Sequence, residues 1–547
     1  MFRARRHHRF DSRTPGRRTA PALAALFAAL VCLVSLSSSS ATARGEHRPA
    51  ESLPTVVRTT GGAVRGDSAG GVRRFDGVRY GRAPVGDLRW RPPVAAAAWK
   101  GVRDTRAPGA DCVQTAAAWR PAAASTDEDC LFLNVWTPAE QPFGGALPVT
   151  VFFHGGGFVN GSGTDIDPVS YVRAGGIVVT VNYRLGALGW LTLPGLDTDT
   201  GQGTSGNYGL LDQELALKWV KANAAAFGGD PSKVMVTGQS AGAESICALL
   251  ASPSAAGLFQ RAAMESSLRC AVNTRTTAQT AGAAFTEAAD CAGTGARAVA
   301  CLRAKSPVEI LDAQRSAGSW RPVVDGTVLP RSPTDAFATG RFHKMPVLIG
   351  STQNEAGAFV YEQYDLTSHP VTPAQYESAV RASYGTDAEA VLAHYPPARY
   401  SSAGQALAAV RSDSGFSCPK LAHAGALAAH SAATYVYEFR DTTAPLRSYQ
   451  LVPPSFALGT QHSAELLYLW GAPALTPLSG VQRALADEMA DYWQHFAETG
   501  TLSPPGLPRI AAYTAGAPTE VAFTSHGSAA VSDESAAHQC AFWSTLA

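Results

Sequence analysis

Two serines of the chain lie in the pattern Gly-x-Ser-x-Gly, which is typical of a serine that attacks a carbonyl carbon. The pattern occurs at residues 66–70, around Ser68, and at residues 238–242, around Ser240. Such a serine sits on a sharp turn between a strand and a helix. Only Ser240 has both flanks, because an apolar run precedes it and a helix-forming segment, residues 243–250, follows it. Ser240 is therefore the candidate nucleophile, and Ser68 is interpreted as a turn between Gly-rich hairpin segments.

A glycine run at residues 155–157 could supply the second requirement of this chemistry, hydrogen-bond donors for a developing oxyanion. The run directly follows residues 148–153, whose apolar character predicts a buried strand. Glycines there let backbone N–H groups approach the negative charge. A flexible turn is the alternative, but the place after a strand and upstream of the serine motif favours the donor role. His154 precedes the run. It is a poor candidate for the catalytic base, because the base is expected after the nucleophile in the sequence.

The elements that must position these residues alternate between strands and helices. Apolar runs predict strands at residues 148–153, 177–181, 233–237, 346–349 and 434–439. A helix is predicted at residues 210–226, before Gly228. Strand, helix and strand in succession indicate a parallel sheet with right-handed crossovers. Gly-rich alternation at residues 55–93 predicts antiparallel hairpins, and the chain after about residue 270 is expected to hold inserted helices.

Composition excludes several classes of protein. Of the 547 residues, 46% are hydrophobic and 16% are charged, which allows a large core and excludes an intrinsically disordered or fibrous chain. The formal net charge of +1 leaves no basic excess for phosphates, so nucleic acid is not an expected partner. A small-molecule substrate fits better.

The first 43 residues have the pattern of a secretory signal peptide. An Arg-rich lead is followed by an apolar stretch at residues 22–36 and by Ala-Thr-Ala at residues 41–43. The apolar stretch is shorter than the roughly 20 residues that span a bilayer, so a membrane anchor and stable membrane insertion are not expected. We predict a signal peptide at residues 1–43, a single α/β domain at residues 44–547 and a secreted, extracellular protein. General and twin-arginine export both remain open.

Eight cysteines remain after cleavage, and export favours their oxidation to four disulfides. Eight cysteines allow 105 connectivities, among which the sequence alone does not choose. A metal site would need Cys-x-x-Cys or His-rich spacing, which is absent from the sequence. We therefore expect no metal.

Several ordered segments resemble the cholinesterase and type-B carboxylesterase family of α/β-hydrolases. Besides the two loops above, the match includes residues 75–81, 128–136, 182–184 and 206–213, and it spans roughly residues 55–543. The resemblance implies the α/β-hydrolase fold, with a large, mostly parallel central sheet flanked by helices, N-terminal antiparallel hairpins and inserted helices. It also implies a serine carboxylic-ester hydrolase that forms an acyl-enzyme and needs no cofactor.

The resemblance implies a triad of Ser240, Glu355 and His462. Glu355 matches the family's acid within residues 350–357, although Ala356 replaces the glycine that usually follows. A surface salt bridge is the alternative role for Glu355, and Asp325 is the rival acid. The remaining matches are the oxyanion-hole donors Gly156, Gly157 and Ala241, and a serine close to the triad, Ser266.

The resemblance also bears on the disulfides. Cholinesterases pair cysteines at positions that match Cys112 with Cys130, Cys291 with Cys301, and Cys418 with Cys540. Cys247 and Cys270 lie outside the cholinesterase pattern. We predict that they join as well; two free, buried thiols are the alternative.

One departure from the family informs the substrate. Cholinesterases have a Glu before the nucleophile that helps to hold a quaternary ammonium, whereas this chain has Gln239. Trp119 lies about where cholinesterases keep the tryptophan that stacks on choline, but a pocket wall or loop anchor is the alternative. We expect uncharged aliphatic or aryl esters. The alternatives are a lipase or choline-esterase specificity, or a catalytically inactive adhesion or binding module. The sequence does not indicate the oligomeric state.

Overall fold

A computed structural model of the protein describes residues 53–120, 124–140, 145–199, 203–367, 369–430 and 433–546. The predicted signal peptide lies outside these ranges. The described residues belong to one compact unit. Among the helices within the described ranges, none has the length and apolar character to cross a bilayer.

The centre of the fold is an 11-stranded mixed sheet. The strands, in chain order, are β1 (Val56–Arg58), β2 (Ala63–Arg65), β3 (Asp67–Ala69), β4 (Val72–Arg79), β5 (Val102–Asp104), β6 (Phe132–Pro138), β7 (Leu147–Phe153), β8 (Ile177–Val181), β9 (Gly229–Gln239), β10 (Arg261–Glu265), β11 (Asn273–Thr274), β12 (Val323–Val324), β13 (Val347–Thr352), β14 (Thr434–Phe439), β15 (Glu520–Thr524) and β16 (Gly527–Val531). The order across the large sheet is β16-β15-β14-β13-β10-β9-β7-β8-β6-β4-β3.

Neighbouring strands from β15 to β8 are parallel, and the outer strands β16, β6, β4 and β3 pair antiparallel. The prediction of a large, mostly parallel sheet is confirmed. Every residue of β8 is buried, as expected for a parallel strand covered by helices on both faces. Three predicted strands are longer than their apolar runs: β7 begins at Leu147, β9 extends from Gly229 to Gln239, and β13 continues to Thr352.

Helices flank the sheet and follow several of its strands. They are α1 (Val169–Arg173), α2 (Gly186–Trp190), α3 (Pro194–Asp199), α4 (Tyr208–Asn223), α5 (Ala241–Ala251), α6 (Arg275–Ala288), α7 (Ala296–Ala304), α8 (Pro307–Gln314), α9 (Pro333–Ala338), α10 (Gly357–Gln363), α11 (Pro373–Tyr384), α12 (Ala388–His394), α13 (Ala403–Ser412), α14 (Cys418–Ala428), α15 (Leu466–Leu469), α16 (Gly480–Thr499), α17 (Glu534–Ala537) and α18 (Cys540–Trp543). A π-helical turn, Asp413–Ser417, links α13 to α14. The predicted helix at residues 210–226 corresponds to α4 with a 3₁₀ turn after it, and Gly228 ends it in the left-handed conformation.

Four disulfides join the eight cysteines of the described chain, across sequence separations from 10 to 122 residues. They join Cys112 to Cys130, Cys247 to Cys270, Cys291 to Cys301, and Cys418 to Cys540. The second ties α5, which follows Ser240, to the loop after β10. The fourth ties the C-terminal helix α18 to α14. Both therefore fasten segments that follow strands of the central sheet.

Candidate active site

Ser240 lies on the sharp turn between β9 and α5. Its backbone has φ 58° and ψ −122°, a strained conformation for a residue with a side chain. The parallel pairing of β9 with β10 continues into this turn, where the Ser240 N–H donates to the Glu265 carbonyl at 2.9 Å. A Cβ on Gly242 would lie 2.0 Å from the carbonyl oxygen of Phe153, so only glycine fits there. The turn leaves Ser240 half-buried at a cavity.

His462 is held by Glu355, which follows β13. His462 Nδ1 lies 2.5 Å from Glu355 Oε2, and the other carboxylate oxygen accepts the Thr352 N–H at 2.8 Å. The His462 N–H also donates to the Glu355 carbonyl. Glu355 is fully buried, so its carboxylate has little freedom to turn away. This arrangement favours the tautomer in which Nδ1 carries the proton and Nε2 can accept one.

Ser240 and His462 line the same cavity, which has a volume of about 550 Å³. His462 Nε2 lies 3.1 Å from Gln239 Nε2, so the glutamine amide occupies the nitrogen that would receive the serine proton. Among the described residues, Ser240 Oγ has no hydrogen-bond partner. In a serine triad the imidazole bridges the serine hydroxyl and the carboxylate. Here His462 contacts Glu355 but not Ser240, so only the carboxylate half of the bridge is formed. A serine hydroxyl turns about a single bond, and catalytic hydrogen bonds often form only when substrate is bound.

Three backbone N–H groups lie in the cavity wall beside Ser240 and form a candidate anion site. Gly156 and Gly157 follow β7 with φ of 100° and 62°, and Ala241 begins α5. None of these N–H groups donates to a described residue. A Cβ on Gly156 would lie 2.2 Å from the Asn160 carbonyl oxygen, so this loop also needs glycine. Unpaired N–H groups and a helix N-terminus together favour a negatively charged oxygen.

The other candidate residues lie around this centre. Trp119 and Gln239 line the cavity, and Trp119 contacts the position of Gly156. Ser266 is fully buried at the end of β10, where its Oγ donates to Glu465 Oε1 at 3.1 Å. Its backbone is left-handed, with φ 57°.

Asp325 and Ser68 lie away from the cavity wall. The Asp325 carboxylate accepts the N–H groups of Thr327 and Leu329 and the hydroxyl of Thr204. It thus stabilises a loop. Ser68 is exposed on the strand β3, and the hairpin turn begins two residues later, at Gly70. The assignment of Ser68 itself to a turn is therefore wrong.

Sequence reasoning placed His154 beside the glycine loop but missed the acids of the cavity wall, Glu244 and Asp165. Burial raises the pKa of Glu244 to about 8 and that of Asp165 to about 6, and it lowers the pKa of His154 to about 4. Glu244 lies one helical turn after Ser240, which is the only sequence signal that could have placed it here. His154 stacks on Tyr183 with ring centroids 4.3 Å apart, which makes it a support for the glycine loop.

One group within the described ranges has metal-ligand spacing. Glu438, Glu534 and His538 bring their ligand atoms within 4.8 Å of one another. Both nitrogens of His538 already face carboxylates, and Lys420 pairs with Glu534. These side chains supply the positive charge that a metal ion would bring, so we assign no metal here.

The chain is similar over most of its length to known proteins of one family. The Carboxylesterase family matches residues 53–543. A fumonisin B1 esterase of Sphingopyxis macrogoltabida is 35% identical over 474 residues, which cover 82% of each chain. A cocaine esterase of Oryctolagus cuniculus is 30% identical, covering 84% of this chain and 90% of its own. A crystal protein of Dictyostelium discoideum is 32% identical over 83% of each chain.

Proposed function

This chain belongs to the carboxylesterase family and is a carboxylic-ester hydrolase, and we propose that it acts through Ser240, His462 and Glu355. The observation that best supports the proposal is their arrangement. A serine on a strained turn and a histidine oriented by a buried carboxylate line one cavity beside unpaired N–H groups.

In the proposed mechanism, Ser240 Oγ turns towards His462 Nε2 as the ester displaces the Gln239 amide. The hydroxyl proton passes to Nε2 while Oγ attacks the ester carbonyl, and Glu355 stabilises the imidazolium. The N–H groups of Gly156, Gly157 and Ala241 bind the oxyanion. The alcohol leaves with the proton, and water then attacks the acyl-enzyme by the same route to release the acid.

For the substrate, we propose that uncharged aliphatic or aryl esters are hydrolysed in preference to choline esters. Gln239 brings no negative charge to the cavity, and Trp119 lies in the wall beside the glycine loop. A cavity of about 550 Å³ fits an ester of modest size. Nitrophenyl esters of increasing chain length, compared with acetylthiocholine, test this preference; faster hydrolysis of the thiocholine ester would contradict it.

We also propose that the protein is secreted. The first 43 residues have the pattern of a signal peptide, and the eight other cysteines form four disulfides, which suit an oxidising compartment. N-terminal sequencing of protein recovered from culture medium should find a start close to residue 44. A retained Arg-rich lead would contradict the proposal.

The alternative is a binding module that has kept the fold without turnover. The oriented His462 and the unpaired N–H groups argue against it, because both are needed for chemistry and neither is needed for packing.

Titration with an organophosphonate ester separates the two functions. The folded wild type should form one covalent adduct, at Ser240. Its rate of ester hydrolysis should fall in proportion to the fraction of protein that carries the adduct. Ser240→Ala should form no adduct and show no hydrolysis above background. Ser68→Ala is the matched control, since it removes the serine of the other motif and should keep both properties. Absence of an adduct on folded wild-type protein would favour the binding module.

A further inference from the structure

The wall of the active-site cavity holds more positive than negative charge. Four arginines line it: Arg269, Arg321, Arg411 and Arg447. The acids in the wall are Asp165, Glu244 and Glu362. Their side chains come from segments far apart in the sequence, so no motif announces the cluster.

The acids form no close ion pair with these arginines, although Glu244 lies within Coulombic range of Arg321 and Glu362 within that of Arg447. Asp165 is paired with Arg120, which does not line the cavity. Burial raises the pKa of Glu244 to about 8, so this carboxyl is mostly protonated at neutral pH. Burial also raises the pKa of Glu362, whose carboxylate accepts the Tyr449 hydroxyl at 2.7 Å. Ion pairs within 4 Å between these three acids and the four arginines are absent from the described part of the chain.

Arg269 and Arg411 are the pair with the fewest bonds of their own. Arg411, at the end of α13, donates to Gln363 Oε1 at 2.9 Å, and the Arg269 side chain has no bond to a described residue. Their two segments touch, since a Cβ on Gly415 would lie 3.1 Å from Leu268 Cδ1. Two like charges thus line one cavity from adjacent segments, and neither forms an ion pair with a carboxylate of the described chain.

The loop that carries Arg269 is held firmly. Arg269 and Cys270 both have left-handed backbones, with φ of 61° and 49°. Cys270 is joined to Cys247 on α5, the helix that follows Ser240. The disulfide therefore fixes the backbone at Arg269 relative to the nucleophile, while the exposed side chain is available for a ligand.

Arg447 adds positive charge close to the proposed base. One of its terminal nitrogens donates to the carbonyl of Ser463, the residue after His462, and its buried Nε has no hydrogen-bond partner in the described chain. A cationic substrate would have to approach this guanidinium. An anionic substrate would instead be attracted to the cavity.

We propose that the ester hydrolysed at this site carries a carboxylate, which Arg269 and Arg411 bind. The planar guanidinium matches a carboxylate with two parallel hydrogen bonds, and it is more weakly hydrated than an ammonium. The proposal rests on the proposed function and extends its preference: anionic esters rank above uncharged esters, and choline esters rank last. Hydrolysis then yields an alcohol and an acid, one of which bears the additional carboxylate.

Ester sets that share the acyl chain length and the ester linkage, and that differ in charge, test the proposal. In the acyl arm, mono-4-nitrophenyl adipate is compared with 4-nitrophenyl hexanoate and with the 6-(trimethylammonio)hexanoate ester. In the alcohol arm, 4-butyryloxybenzoate is compared with phenyl butyrate. We expect kcat/KM of the anionic ester to exceed that of its uncharged partner in at least one arm, and to fall with added salt. A ratio at or below one in both arms would overturn the proposal.

Variants then assign the charge discrimination to the two arginines. Arg269→Gln with Arg411→Gln should lower the ratio of anionic to uncharged kcat/KM by roughly tenfold, the lower range for a hydrogen bond to a charged group. Arg269→Lys with Arg411→Lys should restore part of it. Arg315→Gln, at an exposed arginine outside the cavity wall, is the control that should keep the wild-type ratio. An unchanged ratio in the double glutamine variant would overturn the assignment.

The same measurements distinguish the two proposals. Hydrolysis of the uncharged esters and the adduct at Ser240 report the proposed function. The charge ratio reports the arginine site alone. Hydrolysis without charge discrimination would retain the first proposal and overturn the second.

Discussion

His462 and His538 are both buried, and both donate Nδ1–H to a carboxylate oxygen, at 2.5 and 2.6 Å. They differ at the other ring nitrogen. His462 Nε2 lies at the cavity beside the Gln239 amide, whereas His538 Nε2 faces Glu438 at 2.6 Å. A histidine between one carboxylate and a cavity can exchange a proton with a ligand. A histidine between two carboxylates keeps its proton.

The surroundings of His538 are those of a structural anchor. The Tyr395 hydroxyl donates to Asp413, the other carboxylate that His538 contacts, and Lys420 pairs with Glu534 nearby. The disulfide from Cys418 to Cys540 brackets this network. His538 therefore fixes the C-terminal segment to the body of the protein, although its hydrogen bond resembles that of His462. A histidine–carboxylate pair alone does not identify a catalytic site.

The largest expected effect comes from removing the imidazole at the cavity. His462→Ala should lower kcat for an uncharged nitrophenyl ester by roughly 10⁴- to 10⁶-fold, the range for a lost general base in a serine triad. The variant should remain folded with a lower melting temperature, because the buried Glu355 carboxylate loses one hydrogen-bond donor. His526→Ala is the control, because His526 is exposed on a turn. Activity close to that of the wild type would place the base elsewhere.

The next effect concerns the carboxylate that orients His462. Glu355→Gln should lower kcat by roughly 10⁴-fold, because an amide favours the wrong tautomer of the imidazole. Asp325→Asn tests the rival acid, and its effect on kcat should stay within a few-fold, since Asp325 bonds to its own loop. Both values come from steady-state kinetics on one ester. The reverse order of losses would exchange the two roles.

Local sequence patterns predicted the parts of the molecule that depend on near neighbours. The bounds of β8 and β14 follow from short apolar runs, and the turn at Ser240 follows from the strand and helix that flank it. Glycine was identifiable at position 242 because tight packing of a helix against a strand excludes a Cβ. The family resemblance supplied what lies further apart, including Glu355 and His462.

Contacts between distant side chains were beyond the sequence. Gln239 and His462 are 223 positions apart in the sequence and contact each other in the structure. Whether His462 Nε2 faces the Gln239 amide or the Ser240 hydroxyl depends on side-chain rotamers. The arginines of the cavity wall come from separate loops and helices, so no spacing connects them. His538 and its two carboxylates pose the same problem. These features depend on how elements pack, for which neither periodicity nor composition carries a signal.

A smaller effect is expected at the structural histidine. His538→Asn should lower the free energy of unfolding by about 3–5 kcal/mol, because Asp413 and Glu438 would remain buried without their shared partner. Urea unfolding with the disulfides intact measures this loss. The folded fraction should keep the wild-type kcat, since His538 does not line the cavity. His526→Asn is the matched control. A loss of kcat with unchanged stability would end the distinction between the two histidines.

The smallest effect is the pH dependence of the stabilisation that His538 provides. Burial opposes the charged form, but hydrogen bonds to Asp413 and Glu438 raise the pKa of His538 from 6.5 to about 10. The stabilisation is therefore complete below about pH 6.5 and is lost as the pH rises through 10. Between pH 7 and 9, the difference in unfolding free energy between wild type and His538→Asn should shrink by about 1.4 kcal/mol per pH unit. Burial raises the pKa of Glu534 to about 8, so this neighbouring carboxyl also titrates in this interval. Lys420, Arg440 and Tyr395 face the same network. A difference that stays constant over this interval would mean that His538 does not hold its charge between the two carboxylates.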